Sequence, residues 1–296
     1  MSDPTPAALP TSAAMAAQME KIVARRIEQD QLVVPPLAQV ALRCLGLLKN
    51  PEFPFKEAAN IIERDPVVTA RLLRYTNNAG NVAREPIRSV LQAVTRLGTQ
   101  RLRTFLVEIS AHRLFESHDA RITESCRGVW EHSLAVASLA RDVAVVSNCG
   151  DPELGYLAGL LHDVDKPIVA GLLLEAERII LSSKPGVPWL AAKDWIDVIQ
   201  RVHRRVGTLV AERWELPEAV CRCVRGCGEY ESDDRMSIVN AVCFANAVAK
   251  REGLYVGEIV REDVEALVLI GRSLLGIDEE QVTRLTAQFR ASMKGQ

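Results

Sequence analysis

Apolar residues recur at helical spacing along most of the chain. After Pro35 and Pro36 break the chain, one such series consists of Leu37, Val40, Ala41, Cys44, Leu45 and Leu48. Steps of three and four residues place side chains on one face of an α-helix. No stretch alternates apolar and polar residues with period two for long enough to predict a strand. The pattern therefore predicts an all-α fold, a bundle of many helices.

Cap signals place several helix starts. Asp65 and Asp151 are each followed by proline, which the first helical position tolerates, and each aspartate can cap free backbone amides. Ser237 precedes another apolar series and predicts a third capped start. The spacing also predicts separate helices over 89–97 and from 99 to about 115.

The chain divides into two helical halves. Residues 1–14 are rich in Pro, Ala and Ser, and we expect them to be a disordered tail. From His118 to Arg127 the chain becomes polar and loses its periodicity, which predicts a junction there. Residues 15–117 then form an N-terminal helical subdomain, and residues 118–296 form a second helical subdomain.

Composition narrows the class of protein. The 296 residues are 48% apolar, with a net charge of −2 and seven cysteines. Balanced charge gives no overall field that would attract nucleic acid or an anionic membrane, so neither is an expected partner. The scattered, odd number of cysteines favours reduced thiols, and no apolar run approaches the roughly 20 residues of a membrane helix. The sequence therefore predicts a soluble cytoplasmic protein.

Residues 155–171 concentrate polar groups within an apolar surround. A helix with a broad apolar face ends there at His162 and Asp163. Adjacent imidazole and carboxylate groups could bind one divalent cation, but a capping or ion-paired His-Asp needs no metal. His132 and His203 fall on other predicted helices, as expected when several helices of a bundle each send one ligand into a shared site.

Cys227 is a second kind of candidate, because a thiolate is a soft ligand for zinc. Its neighbours Cys221 and Cys223 lack the Cys-x2-Cys spacing of a structural zinc site. Since unpaired cysteines are commonly buried as small apolar residues, we expect reduced, packed thiols in this segment.

Several sequence blocks occur in order over residues 32–275. They are VPPL at 34–37, IIERDP at 61–66, ARLLRYTN at 70–77, AVTRLG at 93–98, WEHS at 130–133, AGLLHD at 158–163 with Lys166, and the stretch from His203 through Gly207 to WELP at 214–217. In these blocks the sequence resembles the HDOD domain, an output-domain relative of the HD metal-dependent phosphohydrolases. The resemblance implies an N-terminal helical subdomain packed on an HD-like helical subdomain.

The chain departs from the hydrolytic relatives at three places. Cys227 and Gly228 stand where those relatives usually carry a His-His pair, Asn246 stands in place of an aspartate, and Asp165 in place of a glycine. The candidate metal ligands, vestigial or functional, are His132, His162, Asp163, His203 and Asn246. Because two-metal hydrolysis needs several anionic or imidazole ligands, this set implies no cofactor or one weakly bound divalent metal, and no catalytic residue is assigned. Lys166 is a candidate phosphate contact or ion-pair partner.

Three functions remain open. Resemblance to the HDOD family, which is associated with bacterial signal transduction and has no generally established enzymatic activity, favours a non-catalytic regulatory module. Such a module would bind a signalling protein partner or a small effector, such as a nucleotide or cyclic dinucleotide. The alternative is a metal-dependent phosphohydrolase acting on a nucleotide or cyclic dinucleotide. Nucleic-acid binding through Arg96, Arg101 and Arg103, or through Arg201, Arg204 and Arg205, is a third hypothesis, but the acids among these arginines favour solvated helix faces.

Overall fold

The computed structural model describes residues 12–29, 31, 39–47, 50, 52–78, 86–117, 119–183 and 192–293. Its helices are α1 (Ser12–Glu28), α2 (Gln39–Leu47), α3 (Phe55–Ile62), α4 (Pro66–Asn78), α5 (Val90–His112), α6 (Ala120–Ser147), α7 (Pro152–Leu161), α8 (Asp165–Ser183), α9 (Ala192–Arg213), α10 (Glu218–Gly226), α11 (Ile238–Arg251), α12 (Arg261–Leu275) and α13 (Glu279–Met293). No strand occurs in these ranges, which confirms the all-α prediction. Within them, no helix is both long and apolar enough to span a membrane.

The predicted cap residues begin their helices. The side chain of Asp151 accepts a hydrogen bond from the Glu153 amide, and Ser237 caps α11 in the same way through Asn240. Residues 1–11 of the expected disordered tail lie outside the described residues, and α1 begins at Ser12, inside the segment 1–14. Local hydrogen-bonding chemistry therefore predicted where these helices begin more closely than composition predicted where the tail ends.

Buried apolar side chains form two clusters. The smaller runs from Ala41 to Ile109 and includes residues of α2, α3, α4 and α5. The larger is built mainly from α6 to α13, and it also includes Met15, Met19 and Val23 of α1. Although α1 belongs to the N-terminal half by sequence, it packs against α8 and α9. For the N-terminal residues other than α1, the division into two subdomains at residue 117 remains a prediction.

A glycine bends α5. The helices predicted over 89–97 and from residue 99 are two parts of α5, with non-helical backbone at Gly98 (φ 69°, ψ −179°). This positive φ is accessible to glycine and strained for other residues. Beyond the bend, Val107 and Ala111 belong to the larger cluster, so α5 contributes to both cores.

The junction predicted over 118–127 is wrong from residue 120 onward. Helix α6 begins at Ala120, and Ile122 and Cys126 are buried in the larger cluster, while His118 lies outside the described residues. Two apolar side chains four residues apart are enough to bury one face of two helical turns. The polar residues between them, such as Thr123 and Glu124, are exposed and conceal this short amphipathic pattern.

Helices α6 and α7 lie antiparallel and in close contact. A Cβ atom built on Gly155 would lie 3.1 Å from the Ala140 carbonyl oxygen, and one on Gly159 would lie 2.8 Å from the Ala137 Cα. Two backbones can approach this closely only where one of them lacks a side chain. The contact fixes the C-terminal end of α7 against the middle of α6, where His132 lies.

We expect Gly159→Ala to destabilise the protein by about 1–3 kcal/mol, because the new methyl group overlaps the α6 backbone, which cannot move aside as a side chain can. The matched control is Gly171→Ala on α8, where a Cβ meets no atom within 4 Å of the described structure. Because alanine is more favourable than glycine within a helix, Gly171→Ala should leave the free energy of unfolding unchanged or raise it by about 0.5–1 kcal/mol. Urea unfolding of both variants checks the pair, and equal stabilities would contradict the close-contact interpretation.

Candidate functional site

Three predicted ligands meet at the junction of α6 and α7. His132 projects from α6, His162 caps the C-terminal end of α7, and Asp163 follows it. One ligand atom of each lies within 4.8 Å of the others, and all three side chains are at most 2% exposed. Residues 31 positions apart along the chain therefore form one buried polar cluster.

Backbone carbonyls set the orientation of both imidazoles. His132 Nδ1 donates to the Leu254 carbonyl and His162 Nδ1 donates to the Gly159 carbonyl, each at 2.6 Å. Because a carbonyl only accepts, the proton of each ring lies on Nδ1 and Nε2 points into the cluster. Among the described residues, His132 Nε2 has no hydrogen-bond partner, whereas His162 Nε2 lies 3.2 Å from Asp163 Oδ2. Each Nε2 can therefore present a lone pair to a cation or hold a proton.

Two cationic side chains surround the Asp163 carboxylate. Lys166 Nζ donates to Asp163 Oδ2 at 2.6 Å, and an Arg204 Nη atom lies 3.7 Å from Oδ1. Oδ2 is also the oxygen nearest the histidines, 3.2 Å from His162 Nε2 and 3.7 Å from His132 Nε2. The ammonium group of Lys166 thus binds the carboxylate oxygen that a metal ion would share with the two imidazoles.

Arg204 is a structural residue of the site. Its guanidinium donates to the carbonyls of His162 and Val224, both at 2.9 Å. Sequence reasoning considered Arg204 only as a nucleic-acid contact, because nothing in the local pattern indicates that its side chain turns inward. Its contacts instead fix the end of α7 and the end of α10 relative to α9.

His203 pairs with a different aspartate. Its Nδ1 lies 3.0 Å from Asp165 Oδ2, and ligand atoms of Asp163, Asp165 and His203 form a second group within 4.8 Å of one another. A side chain at Gly207 would collide with the Asp165 carboxylate. Asp165 therefore fits against His203 because α9 carries a glycine one turn further along.

Asn246 contacts the thiol of Cys227. Its amide Nδ2 is 3.5 Å from Cys227 Sγ, and its Oδ1 is buried without a hydrogen-bond partner in the described chain. A hydrogen bond from the Cys243 thiol, aided by His162 and Arg204, lowers the pKa of Cys227 to about 6 despite burial. All seven cysteines are free, as expected. The interaction with Cys243 was not predictable, because the two cysteines lie on different elements.

The charges of the cluster depend on one another. Burial opposes ionisation of Asp163, but His162 and Lys166 hold its pKa well below the usual range. Burial likewise opposes protonation of His162, and the Asp163 carboxylate more than offsets it, so the pKa of His162 is raised. Burial and the neighbouring His162 lower the pKa of His132 to about 3. The Asp163 carboxylate therefore favours the protonated form of His162, and His162 in turn disfavours protonation of His132.

Two groups of donors among the described residues have the geometry to hold a divalent cation. They are His132, His162 and Asp163, and, sharing the same aspartate, Asp163, Asp165 and His203. Both already contain an internal pair, Lys166 with Asp163 in the first and His203 with Asp165 in the second. Cys227 and Gly228, at the place of the expected His-His pair, supply no imidazole.

The HDOD domain profile matches residues 34–228, about two thirds of the chain. The chain belongs to the HDOD family. The VPPL block at 34–37, one of the blocks that suggested this family, lies outside the described residues, whereas the WEHS and AGLLHD blocks supply His132, His162 and Asp163. In this HDOD chain the blocks of the second half therefore carry the buried cluster.

Solved structures of low sequence identity share the fold. A protein from Shewanella amazonensis SB2B, provisionally named a metal-dependent phosphohydrolase, aligns over 93% of this chain and 99% of its own, with a TM-score of 0.69 and 20% identity. An HDOD domain protein of unknown function from Geobacter sulfurreducens aligns over 96% of each chain, with a TM-score of 0.63 and 22% identity. At these identities the likeness shows the fold alone.

A curated relative is similar in sequence over most of this HDOD chain. It is an uncharacterized protein of Treponema pallidum (strain Nichols), 24% identical over 266 residues, which are 86% of this chain and 48% of the relative. The chain thus spans about half the length of that relative, and the match transfers no activity.

Most other arginines of the third hypothesis have acidic neighbours. Arg201 Nε lies 3.0 Å from Glu20, while Arg101 and Arg205 lie 3.7 Å from Glu153 and Glu28, respectively. These contacts partly neutralise the faces that would have to bind phosphates. Nucleic acid remains an unexpected partner.

We expect Lys166→Met to destabilise the HDOD chain by about 3 kcal/mol, because it leaves a buried carboxylate without its closest cation. The double variant Asp163→Asn/Lys166→Met should recover most of the loss, since no unpaired charge remains. Urea unfolding gives both free energies. Arg127→Met, which removes an exposed partner of Glu131, is the control and should cost less than about 1 kcal/mol. Equal effects of the two single substitutions would contradict a buried ion pair.

Proposed function

We propose that this HDOD chain is a non-catalytic regulatory module that acts by binding a signalling protein partner or a small effector. The observation that carries the proposal is the 2.6 Å contact between Lys166 Nζ and Asp163 Oδ2. A side chain of the protein itself supplies positive charge where a hydrolytic relative would place metal. The site then has a structural role, and it holds α6, α7, α8 and α9 together.

Charge balance supports this proposal. The two buried carboxylates of the cluster, Asp163 and Asp165, face the cations of Lys166 and Arg204, and Asp163 raises the pKa of His162. Two divalent cations would add four positive charges to a cluster that is already balanced. In a buried site such an excess is strongly unfavourable, so the two-metal chemistry of phosphoester hydrolysis lacks a suitable environment.

A metal-dependent phosphohydrolase is the second candidate, and one observation favours it. The Nε2 atoms of His132 and His162 are buried and converge on Asp163, and His132 Nε2 has no hydrogen-bond partner in the described structure, as a ligand awaiting a cation would have none. A divalent ion held by these atoms and Asp163 would supply Lewis-acid activation of water. In that case Lys166 would have to leave Asp163, and it could then contact a substrate phosphate.

Metal content and turnover separate the two candidates. We expect protein purified without chelator to contain less than one equivalent of metal and to hydrolyse no member of a panel of nucleotides and cyclic dinucleotides when manganese is added. Elemental analysis and product chromatography provide the measurements. Two equivalents of metal together with phosphoester cleavage that is lost in Asp163→Asn would overturn the regulatory proposal.

Lys166 itself provides a sharper test. If its ammonium takes the place of a metal ion, Lys166→Met should bind Mn²⁺ at least about ten-fold more tightly than the wild type, since each ten-fold corresponds to about 1.4 kcal/mol. Calorimetric titration measures the change, and Lys56→Met, an exposed lysine on α3, is the matched control. Weaker metal binding by Lys166→Met would instead indicate that the lysine supports an occupied metal centre.

A further inference from the structure

A polar groove lies where the two apolar clusters meet. Helices α4 and α5 of the smaller cluster and α6 of the larger one enclose a volume of about 440 Å³, which is within the range of small-molecule sites. It is separate from the buried cluster, because Trp130 and Leu134 of α6 line the groove, whereas His132 between them points into the cluster. One helix thus contacts both sites.

Two arginines form the cationic end of the groove. Arg71 and Arg74 are three residues apart on α4, so their side chains project from the same face. Arg74 is exposed, and the charge of Arg71 acts on the Glu108 carboxyl, which belongs to a residue of the same groove. Guanidinium groups suit phosphate oxygens through paired N–H donors. This end of the groove therefore has the chemistry of a phosphate site, with Arg74 as its more accessible cation.

Aromatic rings line the rest of the groove. The ring centroids of His112 and Trp130 lie 4.8 Å apart with an interplanar angle of 82°, and those of Tyr75 and Phe105 lie 5.3 Å apart at 43°. His112, Trp130 and Tyr75 are only partly buried, so parts of their rings face the groove. Such rings stack on planar heterocycles. A ligand that consists of phosphate alone has no ring for them to stack on.

A carboxylate completes the lining. Glu108 lines the groove and accepts a hydrogen bond from the Tyr156 hydroxyl at 2.9 Å. A carboxylate can accept further hydrogen bonds from ring N–H and amino groups. Hydrogen-bonding capacity therefore distinguishes the two ends, with guanidinium donors beside α4 and an acceptor and aromatic rings beside α5 and α6.

We propose that this groove binds a nucleoside phosphate, with the phosphate on Arg71 and Arg74 and the base among Tyr75, Trp130 and Glu108. That this ligand acts as an effector rests on the proposed regulatory function. The binding itself does not require that function. Because the groove joins the smaller cluster to α6, a ligand there bridges the two halves of the protein. A change in how α4 and α6 are spaced would then be the means by which the effector acts.

Calorimetry with the full-length chain at physiological ionic strength tests the proposal. The probes are GMP, AMP, cyclic GMP and cyclic di-GMP, together with guanosine and ribose 5-phosphate as fragments that carry only the base or only the phosphate. We expect at least one nucleotide to bind about ten-fold or more tightly than either fragment, since charged hydrogen bonds and stacking each contribute on that scale.

Two arginine variants and one control test whether the nucleotide binds in this groove. Arg74→Ala, at an exposed position, and Arg71→Ala should each weaken nucleotide binding by about ten-fold or more, whereas Arg96→Ala, an exposed arginine of α5 outside the groove, should leave it unchanged. Thermal unfolding checks that each variant is folded. If Arg71→Ala is not folded, the binding measured for Arg74→Ala is sufficient to test the proposal. No binding of any nucleotide at millimolar concentration, or equal binding by Arg74→Ala and Arg96→Ala, would overturn the proposal. Metal content and turnover decide the proposed function separately.

Discussion

The buried cluster depends on keeping one carboxylate electrically compensated. Asp163 is 2% exposed, and an unpaired charge in such a place is far more costly than on the surface. Lys166, three residues further along the chain, and Arg204 of α9 compensate this charge. The close contact between α6 and the glycines of α7 brings His132 beside the same carboxylate.

Packing alone gives a reason for this fold to retain buried histidines. The residues that would bind metal remain buried and convergent, so replacing them would leave cavities or unpaired groups. Retaining His132 and His162 can thus reflect packing and hydrogen bonding as much as catalysis. Under the proposed regulatory function, α6 connects the buried cluster to the groove that we propose as a nucleoside phosphate site.

Sequence reasoning identified the helices and the family but few of the contacts within the site. Caps such as Asp151 bind backbone amides within a few residues, so the local sequence is enough to predict where their helices begin. The error at residues 120–127 arose because two buried side chains, Ile122 and Cys126, are too short a pattern to recognise among polar neighbours. The inward turn of Arg204 depends on carbonyls of α7 and α10, and no local pattern carries that information.

The fit between Asp165 and Gly207 involves a third residue. A Cβ atom at 207 would overlap the Asp165 carboxylate and would also lie 2.6 Å from Val224 Cγ1. A smaller residue at 165 therefore removes only one of the two obstacles. A larger residue at 207 requires changes on both α8 and α10, so these three positions can vary only together.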